Sequence, residues 1–276
     1  MRLDSHQHFW KFNVAEYGWM KSDWPIRRDF LPSDLQPLLQ QHAFDGAIAV
    51  QARQSLEESR WLLKLADENS FIKGVVGWVD LRSEKVVEQL AELARHPRFV
   101  GVRHVVQDEP DERFLLRPDF VRGLKELKQF NFTYDLLLFP HQLPAAIELV
   151  RLLPEQRFAL DHLAKPAIRD GAIDAWSKNI RELANSPNVF CKVSGLVTEA
   201  DWVNWKSADF KPYLDTAFEA FGEDRVIFGS DWPVCLLAGN YEKIFSLINS
   251  YAQQLGSSVR SKLFGDSATQ FYGIKI

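Results

Sequence analysis

Apolar residues fall along this chain in two alternating textures. The first is short and nearly continuous. Residues 2–8, 47–51, 72–80, 99–105, 132–139, 158–163, 189–193 and 225–230 are rich in β-branched and aromatic side chains and apolar at most positions, the pattern of strands buried on both faces. The second is longer, with apolar residues at helical spacing. Ser55-Leu56-Glu57-Glu58 reads as a capping box opening a helix through Asp67. Residues 83–95 place Val86, Val87, Leu90, Leu93 and Ala94 on one face, and Pro97 ends the run. Residues 119–129, 140–152, 173–184, 210–221 and 241–255 behave alike, and 259–272 predict a terminal helix. Eight strands, each followed by a helix, predict an α/β fold: one (β/α)8 TIM barrel as a single domain over residues 1–276. A doubly wound open sheet is the competitor, but it carries a glycine-rich phosphate turn after its first strand. His8-Phe9-Trp10-Lys11-Phe12 is not such a turn.

One interval breaks the rhythm. Residues 9–32 form a long loop between the first strand and its helix, and in such a barrel that loop lies on the active-site face. Three of the nine tryptophans, Trp10, Trp19 and Trp24, fall in it, so it predicts a lid or side wall. Trp78 and Trp232 follow strand-like runs, whereas Trp176, Trp202 and Trp205 fall in or near helical patterns. Trp10, Trp78 and Trp232 are therefore expected to line one pocket, where an aromatic face packs against the C–H face of a ring.

Composition narrows the class of partner. Hydrophobic residues make up 46% and charged residues 25% of 276, enough for a self-sufficient core. A net charge of −4 gives no basis for binding nucleic acid or an anionic membrane. No apolar run approaches a membrane span of about 20 residues, and with no basic, apolar, small-residue pattern at its opening a signal peptide is not expected. A cytoplasmic, reducing location is the expectation, with Cys191 and Cys235 as small buried hydrophobes. A homo-oligomer is neither required nor excluded, because sequence does not separate exposed apolar helix faces from core faces.

The candidate chemistry sits at strand ends. His6 and His8 are two apart and point to one side of a strand. In a closed barrel the last strand pairs with the first, so Asp231, leaving the eighth strand, would meet them. Two imidazoles and a carboxylate suit a transition-metal ion or an activated water. His162 stands at the carboxyl end of the sixth strand, where barrel active sites gather. Arg103 ends the fourth strand with a guanidinium that forks toward planar oxygen groups. Gln51 and Lys165 are candidates for hydroxyl binding, with Lys192 and Ser194 weaker ones of the same kind.

Three motifs in order, His6-Gln7-His8, Asp161-His162-Leu163-Ala164-Lys165-Pro166 and Gly229-Ser230-Asp231-Trp232-Pro233, resemble the amidohydrolase superfamily. More closely they resemble its sugar-lactone hydrolases, the L-fuconolactonase and L-rhamnonolactonase type. The opening Asp4-Ser5-His6-Gln7-His8-Phe9-Trp10 and Val100-Gly101-Val102-Arg103-His104 are similar to that branch as well. The resemblance implies metal ligands at His6 and His8, with Asp231 and His162 beside them. It departs from the binuclear members of the superfamily, which carry a bridging lysine on the fourth strand and a histidine on the fifth. Here those strands read Arg103-His104 and Phe132-Thr133-Tyr134-Asp135-Leu136. The expectation is at most one divalent metal, zinc by preference, or none. A lactone is an activated ester whose hydrolysis needs a water, a base and a carbonyl stabiliser. The resemblance assigns the base to Asp231; the residue types then give the stabiliser as one bound metal or a protonated histidine, with His162 the protein donor for that role. Two alternatives stand beside it: a metal-dependent non-oxidative decarboxylase and a catalytically silent barrel that binds a sugar acid.

Overall fold

Eight strands line up in chain order: β1 Leu3–Gln7, β2 Gly46–Val50, β3 Ile72–Gly77, β4 Phe99–Val105, β5 Thr133–Leu137, β6 Phe158–Leu160, β7 Val189–Val193 and β8 Val226–Phe228. The computed structural model describes residues 1–275. Each strand pairs in parallel with the next. Just past the ends of β1 and β8 the ring closes: Asp231 N–H donates to His6 O at 2.8 Å, and His8 N–H to Trp232 O at 2.7 Å. The crossovers carry α1 Pro32–Gln41, α2 Leu56–Glu68, α3 Val86–Leu93, α4 Pro118–Glu126, α5 Leu143–Leu152, α6 Asp174–Ala184 and α7 Ser207–Phe221. After β8 comes α8 Tyr241–Leu255. The fold is the predicted (β/α)8 barrel.

Its core has two parts. Outward-facing strand residues and the apolar helix faces form the larger one, between barrel and helices. The smaller lies inside the barrel, where Leu3, Ile48, Val76, Val100 and Ile227 meet Ala268, Phe271 and Tyr272 of the last helix. The chain's end thus plugs the bottom of the barrel. The predicted terminal helix is present as α9 Ser257–Ser261 and α10 Ser267–Tyr272, joined by a π-helical turn at Lys262–Asp266.

Four strands stop two or three residues earlier than the sequence predicts. β3 ends at Gly77 rather than at residue 80, β5 at Leu137 rather than 139, β6 at Leu160 rather than 163, and β8 at Phe228 rather than 230. After β6 and β8 the backbone turns left-handed, with φ of +50 to +57° at His162, Leu163, Ala164 and Lys165 and +55° at Asp231. His162 and Asp231 therefore stand on turns beyond their strands. The loop after β1 folds around Trp10, whose backbone pairs with Phe30 and whose Nε1 donates to Arg28 O at 2.8 Å. The α2 capping box is half made. Ser55 Oγ accepts from Glu58 N–H at 3.3 Å, but the Glu58 carboxylate accepts instead from Ala52 and Arg53 N–H. Cys191 and Cys235 are buried and unpaired.

Candidate active site

His6 and His8 bracket the end of β1, where the pairing with β2 is irregular between Asp4 and Gln7. His6 Nε2 lies 3.2 Å from His8 Nε2. Asp231 Oδ1 is 3.3 Å from His8 Nε2, 3.7 Å from His6 Nε2 and 3.9 Å from His162 Nε2. Two glycines make room for the rings. A Cβ on Gly229 would fall 2.4 Å from His6 Cβ, and one on Gly195, itself at φ +60°, 2.5 Å from His162 Nδ1. Left-handed backbone costs a non-glycine residue roughly 1–2 kcal/mol. Of the five residues that carry it here, His162, Lys165 and Asp231 border the cavity, so strain is concentrated where side chains are aimed.

A buried polar column supports the imidazoles from below. Asp161 Oδ1 faces His6 Nδ1 at 3.4 Å and Lys192 Nζ at 2.8 Å. Its Oδ2 accepts from Arg103 Nη1 at 3.0 Å. Lys192 also contacts Asp135 and lies 3.1 Å from His6 Nδ1, and Tyr272 O–H donates to Asp135 Oδ2 at 3.0 Å. Arg103 Nη1 reaches His6 Nε2 at 3.3 Å, and Nη2 bonds the carbonyl and, at 3.0 Å, the Oε1 of Gln51.

Protonation follows burial. Desolvation pushes His6 well below the usual imidazole range, and Asp161 offsets only part of it. Desolvation also lowers His162 to about 4, against the pull of Asp231 and Asp161. His162 is therefore neutral at pH 7, which corrects the expectation of a protonated donor there. Its Nδ1 lies 2.8 Å from Ser194 Oγ. Burial opposes ionisation of Asp231, but the facing imidazoles, His162 foremost, outweigh it and hold the carboxyl well below its ordinary range.

The donor set fits one divalent cation. Ligands about 2.1 Å from a tetrahedral ion sit about 3.4 Å apart, and His6 Nε2, His8 Nε2 and Asp231 Oδ1 are separated by 3.2 to 3.7 Å. Two imidazole nitrogens aimed at each other repel unless a proton or a cation lies between them. Asp161, behind His6 Nδ1, orients that ring as a carboxylate does behind a metal-bound histidine.

Above these groups opens a cavity of about 330 Å³, lined by His8, Arg103, His162, Lys165 and Asp231 and walled by Trp10, Trp19 and Trp24. The structure thus brings six of the sequence candidates, His8, Trp10, Arg103, His162, Lys165 and Asp231, to one cavity, with His6 directly beneath. Gln51, Lys192 and Ser194 lie behind it, holding Arg103, Asp161 and His162. Two expected wall residues are elsewhere. Trp78 points away, its Nε1 donating to His104 Nδ1 at 3.4 Å. Trp232 is buried between Phe9 and Phe30, with ring centroids 6.3 and 5.2 Å away. Both follow strands, but their side chains leave on the outer face, where helices and the first loop cover them.

Sequence reasoning also passed over residues that the fold places here. Asp161 is two residues after inward-facing Ala159, an alternation that could have revealed it. Glu199 and Trp202 come from the loop after β7 and line the cavity too. Trp202 belongs to no helix; it leans on Trp24 across the mouth, centroids 5.6 Å apart. An irregular loop offers no periodicity that would mark either.

Comparison with known proteins bears on the family and the fold. The amidohydrolase family model matches residues 3–274. The chain is 42% identical to L-fucono-1,5-lactonase of Burkholderia multivorans, covering 99% of this chain and 96% of that protein. It is 37% identical to L-fucono-1,5-lactonase of Burkholderia ambifaria, over the same shares. A crystal structure of an amidohydrolase from B. multivorans with bound zinc superposes with a TM-score of 0.96 at 41% identity, covering 100% of both chains. The chain belongs to the amidohydrolase family, and within it to the sugar-lactonase branch.

Proposed function

We propose that this protein hydrolyses a sugar 1,5-lactone, an aldonolactone of the L-fucono type, to the open sugar acid. The observation that carries the reading is the ionised Asp231, its Oδ1 among three imidazoles, at the floor of a tryptophan-walled cavity sized for one sugar ring. Two relatives that match over nearly the full chain bear the name L-fucono-1,5-lactonase. Asp231 takes a proton from water as the water oxygen adds to the lactone carbonyl. Arg103, a permanent cation, stabilises the oxyanion that forms. The ring C–O bond then breaks, and the proton held by Asp231 passes to the leaving alkoxide. Neutral His162, fixed by Ser194, orients the carboxylate. A divalent ion, zinc by preference, would be held by His6, His8 and Asp231 and, when bound, would supply Lewis acidity at the carbonyl. The metal-dependent decarboxylase reading draws less support from the relatives. The cytoplasmic setting goes with this reading, and no helix among the described residues is long and apolar enough to cross a membrane.

A pH-indicator assay against a panel of aldonolactones, with and without chelator, tests substrate and metal together. We expect turnover of a six-membered sugar lactone, at most one divalent metal per chain by elemental analysis, and a loss of roughly 10²-fold or more in Asp231→Asn. An Asp231→Asn protein that keeps wild-type turnover defeats the assignment. A wild type that binds sugar acids but opens no lactone returns the silent binding barrel.

A further inference from the structure

Nearly every charged group beneath the cavity is tied to another: Arg103 to Asp161, Lys192 to Asp135 and Asp161, His6 to Asp161. Two half-buried groups on the wall are not. Lys165 and Glu199 both line the cavity, and among the described residues neither has an ion-pair partner within 4 Å. The Lys165 ammonium has only the face of Phe139, 5.4 Å from the ring centre. The Glu199 carboxylate has only the Thr198 hydroxyl, 3.3 Å away, whose single hydrogen is shared with Gly195 O at 2.8 Å. The two do not collapse onto each other. Lys165 is the last of four consecutive left-handed residues, and Glu199 ends a 3-10 turn, Val197–Glu199. Both backbones stand on tight turns, and the Lys165 charge acts on the Glu199 carboxyl, partly offsetting the rise that burial causes.

A free ammonium and a free carboxylate facing one small cavity are completed by a group that both donates and accepts. A hydroxyl does this, and a pair of neighbouring hydroxyls on a ring does it at both ends. A carboxylate or phosphate substituent would face Glu199 as a like charge. An unsubstituted ring would leave both charges desolvated and unpartnered, the arrangement by which a polar site rejects an analogue lacking the hydroxyl.

We propose that Glu199, acting with Lys165, is the specificity-determining residue that reads neighbouring ring hydroxyls and so restricts the site to neutral, polyhydroxylated lactones. The inference rests on the lactonase reading above. A hydrogen bond to a charged group is worth roughly 10- to 100-fold in affinity, and because it is made to a part of the substrate that does not react, its loss falls on KM.

The test compares L-fucono-1,5-lactone with δ-valerolactone, the same ring without hydroxyls, in wild type, Glu199→Ala and Glu199→Gln. The Ala variant is expected to lose roughly 10- to 100-fold in kcat/KM for the sugar lactone, through KM, while its value for δ-valerolactone stays at or rises above the wild-type level, because the charge that the bare ring left unpartnered is gone. Glu199→Gln, which keeps an acceptor, recovers part of the loss. A competitive Ki for L-fucopyranose gives the same comparison without turnover and should rise at least tenfold in Glu199→Ala. An equal fall for both lactones, or no change in KM and Ki, overturns the role of Glu199 and leaves the lactonase reading standing. A wild type inert toward both lactones overturns the lactonase reading, and this inference with it.

Discussion

Glu58 carries a charge into a place where water does not reach. It is fully buried at the start of α2, accepting from Ala52 and Arg53 N–H at 3.1 and 2.8 Å. Burial raises its carboxyl to about 7, and those N–H groups with the Arg53 charge offset only part of the effect. The sign follows from proton counting. Between the ordinary carboxylate range and pH 7 the folded chain holds a proton that the unfolded chain has released, so stability falls as pH rises through that window. Glu58→Gln removes the titration but keeps an oxygen for both N–H donors. Relative to wild type it should gain on the order of 2 kcal/mol between pH 5 and pH 8, since a tenfold difference in proton affinity between folded and unfolded chain is worth about 1.4 kcal/mol. Urea unfolding at the two pH values measures this, and a parallel pair of curves would contradict it. The residue also marks a limit of reading from sequence. Ser-x-x-Glu correctly locates the helix start, but the motif contains nothing about the β2–α2 loop that captures the glutamate.

Among elements, it is the turns rather than the strands that carry information absent from hydrophobic pattern. Alternation and apolar runs located all eight strands, yet His162 and Asp231 stand on left-handed turns that no periodicity announces. Their sequences contain no glycine at those positions to signal positive φ. The same conformation at the end of α1 serves no cavity. Ala43 is exposed at φ +55°, its N–H donating to Gln40 O at 3.1 Å, the position where helices commonly place glycine. The corresponding turn before β5 carries Asn131, at φ +59°, a residue that tolerates it. Ala43→Gly relieves about 1–2 kcal/mol of backbone strain and returns about 0.5–1 kcal/mol in unfolded-chain entropy. A net gain near 0.5–1 kcal/mol, or about 1–3 °C in Tm, is expected by thermal melt. A loss of stability would mean that the turn is held by something other than its own conformation.

At the scale of the whole molecule, the two chain ends meet the site from opposite sides. The first strand brings two imidazoles to the floor of the cavity, and the last helix plugs the bottom of the barrel. That the first imidazole pair and Asp231 would share one cavity was legible, because ring closure makes the first and last strands neighbours. The plug was legible only as a helix; its place inside the barrel was not, because an apolar stripe reads the same whether it covers a barrel or enters one. Its two aromatics now separate packing from polar support. Phe271 lies against Phe190, centroids 4.8 Å apart, and is 1% exposed. Truncation to alanine leaves a large void within a closed ring of strands that cannot collapse, so Phe271→Ala should cost about 3–5 kcal/mol. Tyr272→Phe removes only a hydroxyl, but that hydroxyl donates to Asp135 at the foot of the column through Lys192 to Asp161 and His6. It should cost about 1–3 kcal/mol, the penalty of a buried acceptor losing its donor. Denaturant midpoints of the two variants, at unchanged m-value, read both numbers. Near-wild-type midpoints in both would show that the barrel stands without its plug, and that the support beneath His6 begins at Lys192 rather than at the chain's end.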